Sequence, residues 1–234
     1  MVHRSRRALT TIVAGVLILI TLITNVILFV FIQQDAKNRV RGNIEAKTLT
    51  ALYALEPNIP PKEFSELVAT KQTSLPAYEA LRSYMALVKQ RAGFKYLYTL
   101  AKDPSGTLIY VIDGGDPKSE GFSKLGDKAT TDEFKGYREV MASGKPRVDV
   151  SKSKEWGHIM TVYYPLKNAN GTVIGVIGAD HEMQSVYDAI AKRTRFFAWL
   201  IALITLLGLT ATVLAAIIIR RTERNRLKTH ENLE

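Results

Sequence analysis

Two long stretches without an ionisable side chain constrain the fold of this chain more than any other feature. The first extends from Ala8 to Gln34 and the second from Phe196 to Ile219. An apolar run of about 20 residues is long enough for a helix that crosses a bilayer, where every backbone polar group must be satisfied within the helix. The sequence therefore predicts transmembrane helices at 9–33 and 196–219, on either side of one polar domain at 34–195.

The positive charges indicate how these helices are oriented. Half of the net charge of +10 comes from the two ends of the chain, where Arg4 to Arg7 and Arg220 to Lys228 flank the apolar runs. The positive-inside rule predicts that segments 1–8 and 220–234 are cytoplasmic and that 34–195 lies outside the cell (inner) membrane. The preference is narrow, because basic residues also flank the outer ends of both runs. We interpret the basic charge as membrane flanking and predict no nucleic-acid partner.

The first apolar run is predicted to be an uncleaved anchor. It is longer than the apolar region of a signal peptide, and no small-residue cleavage site follows it. The chain contains no cysteine, so the outer domain must fold without disulfides, which is typical of a bacterial or archaeal surface protein.

Apolar periodicity predicts an α+β fold for the middle of the chain. Helical spacing continues from the first span to Leu55, a second helical region runs from Pro61 to about Gln90, and a short helix begins at a Thr130–Glu133 capping box and ends at Gly144. A last helix begins at Glu182 and continues into the second span. Alternating patterns predict five strands, at 95–102, 107–113, 147–151, 158–166 and 172–180. Hairpin connections favour an antiparallel sheet with the long helices on one face.

The last two predicted strands carry a familiar pattern. The segment Tyr163 to Leu166 is the end of a strand, close to a proline, and Asn170-Gly171 form a turn. Val173 to Asp180 then form an apolar strand with regularly spaced glycines that ends in Asp. This pattern resembles the closing strands of Cache (PDC) domains, the PAS-like extracytoplasmic sensors of bacterial and archaeal receptors. The resemblance covers roughly residues 36–195 and implies a single Cache domain with a pocket on the sheet face away from the long helices. The Arg-x-Trp-Tyr signature of amino-acid-binding double Cache domains is absent, so the resemblance does not support an amino-acid ligand.

Strand residues supply the candidate ligand-binding groups. Arg147 and His158 form a candidate cationic pair for a carboxylate-like ligand. Tyr98, Tyr110 and Tyr163 could wall the site, and Asp113 and Asp180 could accept a ligand amine or hold an arginine. Each has a structural alternative, since strand tyrosines commonly pack, a strand arginine is commonly solvated, and Asp180 could cap the last helix.

The chain shows no catalytic constellation. Its four histidines are scattered, no serine lies in a nucleophile elbow, and there is no phosphate-binding loop. We predict no enzymatic activity, metal or cofactor for this chain.

These features favour a homodimeric transmembrane receptor that senses a small extracellular ligand. The apolar stripe from Val40 to Leu55 suits pairing with a second copy. It could also pack on its own sheet, and the two roles are compatible. Asn25 in the first span could bond across such a dimer. The segment after Arg220 is interpreted as the start of a signalling helix whose output domain, a histidine kinase, a diguanylate cyclase or a chemoreceptor module, is absent. The alternatives are a stand-alone membrane adaptor that acts through protein contacts without a ligand and, less favoured, a surface hydrolase.

Overall fold

The computed structural model describes residues 2–129, 134–153 and 157–231. Within it the chain divides into two compact units, Arg39–Tyr187 and the pair of segments Met1–Asn38 and Asp188–Glu234. The predicted Thr130–Glu133 capping box lies outside the described residues.

The elements follow the predicted order. The helices are α1 (Val2–Leu55), α2 (Pro61–Thr70), α3 (Pro76–Ala92), α4 (Lys135–Ser143) and α5 (Gln184–Glu231), with a short 3-10 turn at Glu56–Asn58. The strands are β1 (Tyr96–Lys102), β2 (Leu108–Asp113), β3 (Arg147–Ser153), β4 (Gly157–Lys167) and β5 (Val173–Glu182). Every strand lies within two residues of its predicted bounds.

The strands form one antiparallel sheet in the order β2-β1-β5-β4-β3. The predicted α+β class with a long N-terminal helix and a five-stranded antiparallel sheet is confirmed. Strand β5 is the middle strand, and both of its faces are buried, which explains its nearly continuous run of apolar residues and glycines.

One face of the sheet packs against the helices. Leu97 of β1, Val162 of β4 and Ile177 of β5 share a buried core with Leu52 of α1 and Phe64 of α2. The apolar stripe of α1 therefore packs on its own sheet, which is one of the two roles that the sequence left open for it. The opposite face carries a second cluster, which α4 covers.

The second unit contains the two apolar helix segments. Helices α1 and α5 are each long and apolar enough to cross a membrane. Their apolar side chains in this unit are largely exposed, as expected for surfaces that lipid would cover.

A polar contact joins the two helices inside this unit. The Asn25 side-chain amide donates a hydrogen bond of 2.8 Å to the Thr205 hydroxyl. Thr205 in turn donates to the Ile201 carbonyl at 2.8 Å, so its oxygen is free to accept from Asn25. Asn25 thus finds its partner within the same chain, whereas the sequence suggested a bond across a dimer.

We expect Thr205→Val to weaken the association of these two helices by about 0.6 kcal/mol, the typical value of an interhelical hydrogen bond in a membrane. SDS titration in mixed micelles, followed by energy transfer between labels on the two helices, measures this. Thr24→Val is the matched control, because Thr24 donates only to the Ile20 carbonyl of its own helix. Equal effects of the two substitutions would contradict the role of the interhelical bond.

Candidate functional site

A row of residues crosses the sheet on the face that α4 covers. The strand register places Tyr98 of β1 opposite Gly178 of β5, Gly178 opposite Tyr163 of β4, and Tyr163 opposite Arg147 of β3. Both tyrosines are buried, at 5% and 3% exposure. We call this set, from Tyr98 to Arg147, the tyrosine row.

Gly178 makes the row possible because a side chain there would collide with its neighbour. A Cβ at this position would fall within 3 Å of the Tyr98 ring, closer than real Cβ contacts allow. The absence of a side chain at Gly178 lets the Tyr98 ring lie over β5. Gly136 of α4 plays the same part for Tyr163, because a Cβ there would overlap the Tyr163 ring. The glycines therefore bring aromatic rings, strand and helix into close contact.

Further aromatic rings extend the site towards β2. Tyr98, Tyr110 and Phe134 form a triangle of edge-to-face contacts, with ring centroids 5.6 to 6.0 Å apart. Such geometry aligns the positive edge of one ring with the negative face of the next. The cluster gives the site apolar walls with phenolic hydroxyls.

Asp180 supplies the charged group of this face. The residue is 8% exposed, and strand pairing places it between Tyr96 of β1 and Thr161 of β4. The Tyr98 hydroxyl donates to its carboxyl oxygen at 3.5 Å. No ion pair to this carboxyl is present among the described residues. Helix α5 begins only at Gln184, so Asp180 belongs to the strand and does not cap the helix.

Burial raises the pKa of Asp180 to about 7, and the nearby Asp113 adds to the rise. Hydrogen bonds from Thr161 and Tyr98 and the charge of Lys95 act in the opposite direction but do not outweigh burial. The group is therefore poised to change charge near neutral pH, which is the behaviour of functional carboxyls in apolar clefts.

The buried tyrosines stay protonated. Burial, reinforced by the charge of Asp180, raises the pKa of Tyr98 and of Tyr163 well above the usual value. Burial alone raises the pKa of Tyr137 on α4 to about 12. The Tyr137 hydroxyl is buried and has no hydrogen-bond partner among the described residues. A buried hydroxyl without a partner is rare in folded proteins, so this face has unused polar capacity.

Arg147 lies at the edge of the site. Its Nε is 2.9 Å from the Glu139 carboxylate of α4 and 3.8 Å from that of Asp149. Its side chain is 52% exposed. Arg147 therefore ties α4 to the edge strand, and its charge is already compensated.

Asp113 holds a loop in place. Its two carboxylate oxygens accept hydrogen bonds from the backbone N–H groups of Gly115 at 2.6 Å and Ser123 at 2.9 Å. Burial raises the pKa of Asp113, and these two bonds oppose the rise. The loop that it fixes passes beside Tyr96, against whose ring Gly121 lies.

His158 does not join the site. Its ring contacts Tyr187 of α5 in an edge-to-face arrangement, with centroids 5.8 Å apart. Tyr187 packs with the helix-facing core, and Met160, two residues from His158 along β4, belongs to the same core. Because residues two apart on a strand share a face, His158 lies on the side opposite Arg147, and the predicted cationic pair does not form.

Of the seven predicted site residues, the structure brings together Tyr98, Tyr110, Tyr163 and Asp180. Arg147 is at the edge, Asp113 ends β2 and anchors the following loop, and His158 is on the other face. Sequence reasoning missed Thr161, Gly136 and Tyr137. Thr161 could have been predicted, because it lies two residues from Tyr163 on the same strand and so shares its face. Nothing in the sequence of α4 distinguishes Tyr137 from an ordinary core residue.

A surface recess of about 320 Å³ lies elsewhere, between α2 and the end of β1. It borders Asp103, whose carboxylate accepts from the Lys71 ammonium at 2.7 Å and from the backbone of Ser105 and Thr107. The Lys71 hydrogen bond, together with that from Ser105, holds the pKa of Asp103 well below its usual range. The hydrogen-bonding capacity of Asp103 is used within the protein, so we place the candidate site at the tyrosine row.

No family model matches this chain, and no curated protein matches it. Several solved structures are similar to it. The ligand-binding domain of the Campylobacter jejuni chemoreceptor Tlp3, in complex with L-valine, has a TM-score of 0.48 and 16% identity over 70% of this chain and 61% of that one. The sensor domain of the V. cholerae histidine kinase DctB has a TM-score of 0.46 and 15% identity over 65% of this chain and 55% of that one.

The E. coli DcuS sensor domain has a TM-score of 0.43 and 13% identity over 65% of this chain and 97% of that one. These three structures are a ligand-binding domain and two sensor domains. The chain spans about three fifths of the length of the Tlp3 domain. At this level of identity the likeness concerns the fold alone.

We expect Asp180→Asn to change how stability depends on pH. A carboxyl whose pKa is higher in the folded than in the unfolded state favours folding while it is protonated. That contribution is lost as the pH rises from about 4 to about 7. Between pH 5 and pH 8.5 the wild type should therefore lose about 3 kcal/mol more unfolding free energy than Asp180→Asn.

Denaturant unfolding of the full chain in detergent at the two pH values measures this difference. Asp116→Asn is the control, because Asp116 lies exposed on the surface loop. If wild type and Asp180→Asn change in parallel with pH, the Asp180 carboxyl is not held in its neutral form by burial.

Proposed function

We propose that this chain is the sensing part of a Cache-type transmembrane receptor, and that a small ligand binds at the tyrosine row beside Asp180. The observation that carries the proposal is a carboxyl buried among tyrosine hydroxyls without an ion-pair partner among the described residues. Keeping such a group in the middle strand is costly for folding. A binding role explains why the cost is accepted, because ligand contacts would then supply the missing partner.

The charges at the site favour a ligand with a protonated amine. Asp180 is the buried ionisable group beside the row, and the charge of Asp113 adds to the negative potential there. Arg147, at the edge of the site, is engaged by Glu139 and Asp149. Tyrosine rings also attract cations through their faces. The carboxylate ligand expected from the sequence requires Arg147 and His158 to lie together. Because they lie on opposite faces of the sheet, an amine fits this site better.

The long helices offer the route out of the domain. In the proposed topology both termini are cytoplasmic and Arg39–Tyr187 is outside the inner membrane, as the flanking charges favour. Helix α5 starts two residues after β5 and is continuous to Glu231. Ligand binding would select one of two packings of the domain, and α5 would carry the difference to a cytoplasmic histidine kinase, diguanylate cyclase or chemoreceptor module.

A second copy of the chain is the partner that we propose for α1. On the side of α1 away from the sheet, Ala46, Thr50 and Tyr53 are exposed and uncharged. Tyr53 is 69% exposed, although Leu52 and Leu55 beside it on α1 are buried in the core, and a large exposed aromatic side chain is a common mark of a contact surface. We propose that this stripe pairs with its counterpart in a homodimer.

We expect small amines to stabilise the full chain and carboxylates not to do so. A thermal-shift series with ammonium, methylammonium and ethanolamine, against acetate and malate, tests this. A ligand present at 100 times its Kd should add about 2.7 kcal/mol of stability. Asp180→Asn should abolish the effect of the amines, and the control Asp116→Asn should retain it.

Each other outcome contradicts the amine proposal in a defined way. Stabilisation by carboxylates that is lost in Arg147→Ala would restore an anionic ligand. Failure of all probes would favour the alternative of a membrane adaptor that works through protein contacts without a ligand.

Tyr53→Cys tests topology and dimer together, since the chain has no native cysteine. In intact cells we expect a membrane-impermeant maleimide to label it, and oxidation to join two copies through it. Leu87→Cys on α3, where Leu87 is 42% exposed, is the control and should be labelled without cross-linking. Labelling only after cell lysis would contradict the topology, and labelling without cross-linking would contradict pairing through α1.

A further inference from the structure

Strand β5 presents two ionisable residues in succession to opposite faces of the sheet. The Asp180 carboxyl meets the Tyr98 hydroxyl on the tyrosine-row side. The next residue, His181, stacks edge-to-face on Phe94, with ring centroids 5.1 Å apart, and Phe94 belongs to the helix-facing core. Adjacent residues on a strand point to opposite faces, so the two side chains share one stretch of backbone but occupy separate environments.

His181 makes a hydrogen bond to α1. Its Nε2 lies 2.7 Å from the Thr48 hydroxyl oxygen. That hydroxyl also lies 2.7 Å from the Ile44 carbonyl, which can only accept, so Thr48 donates its single proton there. Towards His181 the Thr48 oxygen must therefore accept, and the Nε2 atom carries the hydrogen. The bond has a defined direction, from β5 to α1.

Thr48 is the buried partner of this bond, and His181 is partly buried. Thr48 is 1% exposed, and burial lowers the pKa of His181. The imidazole is therefore neutral at pH 7, with Nε2–H as the donor tautomer. Breaking the bond would leave the Nε2–H of the partly buried His181 without its acceptor, so the bond favours a joint movement of β5 and α1.

We propose that His181 is a positioning residue that transmits the state of Asp180 to α1 through its hydrogen bond to Thr48. The inference deepens the proposed function and depends on it for the identity of Asp180 as the ligand-binding group. A ligand that attracts the Asp180 carboxyl moves the β5 backbone at His181. The hydrogen bond then moves Thr48, and with it α1, in the same direction. The same strand leads into α5 through Met183, which is buried in the helix-facing core.

This arrangement gives one strand a connection to both long helices. His181 contacts α1 through its side-chain hydrogen bond to Thr48. Residues 182 and 183 connect the strand to α5 through the backbone. Across the sheet, His158 contacts Tyr187 of α5 on the same helix-facing side. His158, which does not join the candidate site, therefore lies at the contact between β4 and α5.

A fluorine reporter on α1 tests the transmission without a ligand. The full chain carries a trifluoromethyl label at Lys47→Cys, an exposed position next to Thr48, and its ¹⁹F spectrum is recorded in lipid nanodiscs at pH 8.5. Asp180→Asn, which removes the charge on the other face, is expected to shift the resonance. In a Thr48→Val background the same substitution should leave the resonance in place, and Thr48→Ser, which keeps the hydroxyl, should restore the shift.

Two further variants keep the test decisive. His181→Phe keeps the ring contact with Phe94 but removes the donor, so it should abolish the shift if Thr48→Val does not fold. Thr50→Val is the matched control, because Thr50 donates only to the Ala46 carbonyl of its own helix and is exposed. It should leave the shift unchanged.

The outcomes separate this inference from the proposed function. A shift that persists in both Thr48→Val and His181→Phe, or no shift on Asp180→Asn in the parent chain, overturns the role of His181. If amines bind but the reporter is silent, the sensor proposal stands and the transmission fails. If the reporter responds but no amine binds, His181 does couple the two faces and the ligand class is wrong.

Discussion

The buried carboxyl of Asp180 needs polar partners, and the face of the sheet that α4 covers is arranged around this requirement. Asp180 lies in the middle strand of the sheet, where water cannot solvate its charge. The neighbouring side chains do not neutralise it but surround it with hydroxyls and aromatic rings. Gly178 and Gly136 then allow strand, rings and α4 to approach closely enough to exclude water. Polar chemistry and tight packing are thus concentrated in one place, as expected of a binding site and not of an ordinary core.

The opposite face of the same strand has a different task. There the sheet is covered by α1, α2 and α3, and the contacts are mainly apolar. His181 is an exception, because it brings a directed hydrogen bond into that core. In the proposed account, a middle strand with a ligand side and a helix side converts a local change of charge into a displacement of helices. No large rearrangement of the sheet is required for this.

Much of the fold follows from patterns that the sequence displays. Period-two alternation and turn residues predict all five strands, and the Gly-spaced run that ends in Asp180 predicts the last of them. The assignment of side chains to faces was less accessible. A shift of one residue reverses the face of every side chain on a strand, and the pairing offset that separates Arg147 from His158 depends on contacts between distant parts of the chain. Asp113 illustrates a second limit, because its bonds to the backbone of Gly115 and Ser123 exist only once the loop has folded.

The central claim is that a ligand amine replaces the proton of a neutral Asp180 carboxyl. Calorimetric titration of the full chain with methylammonium at pH 6, in two buffers of different ionisation enthalpy, counts the protons that binding releases. With a pKa of about 7 for Asp180, the account predicts release of about one proton per amine bound, and none in Asp180→Asn. Binding without proton release, or binding that is unchanged in Asp180→Asn, would contradict it.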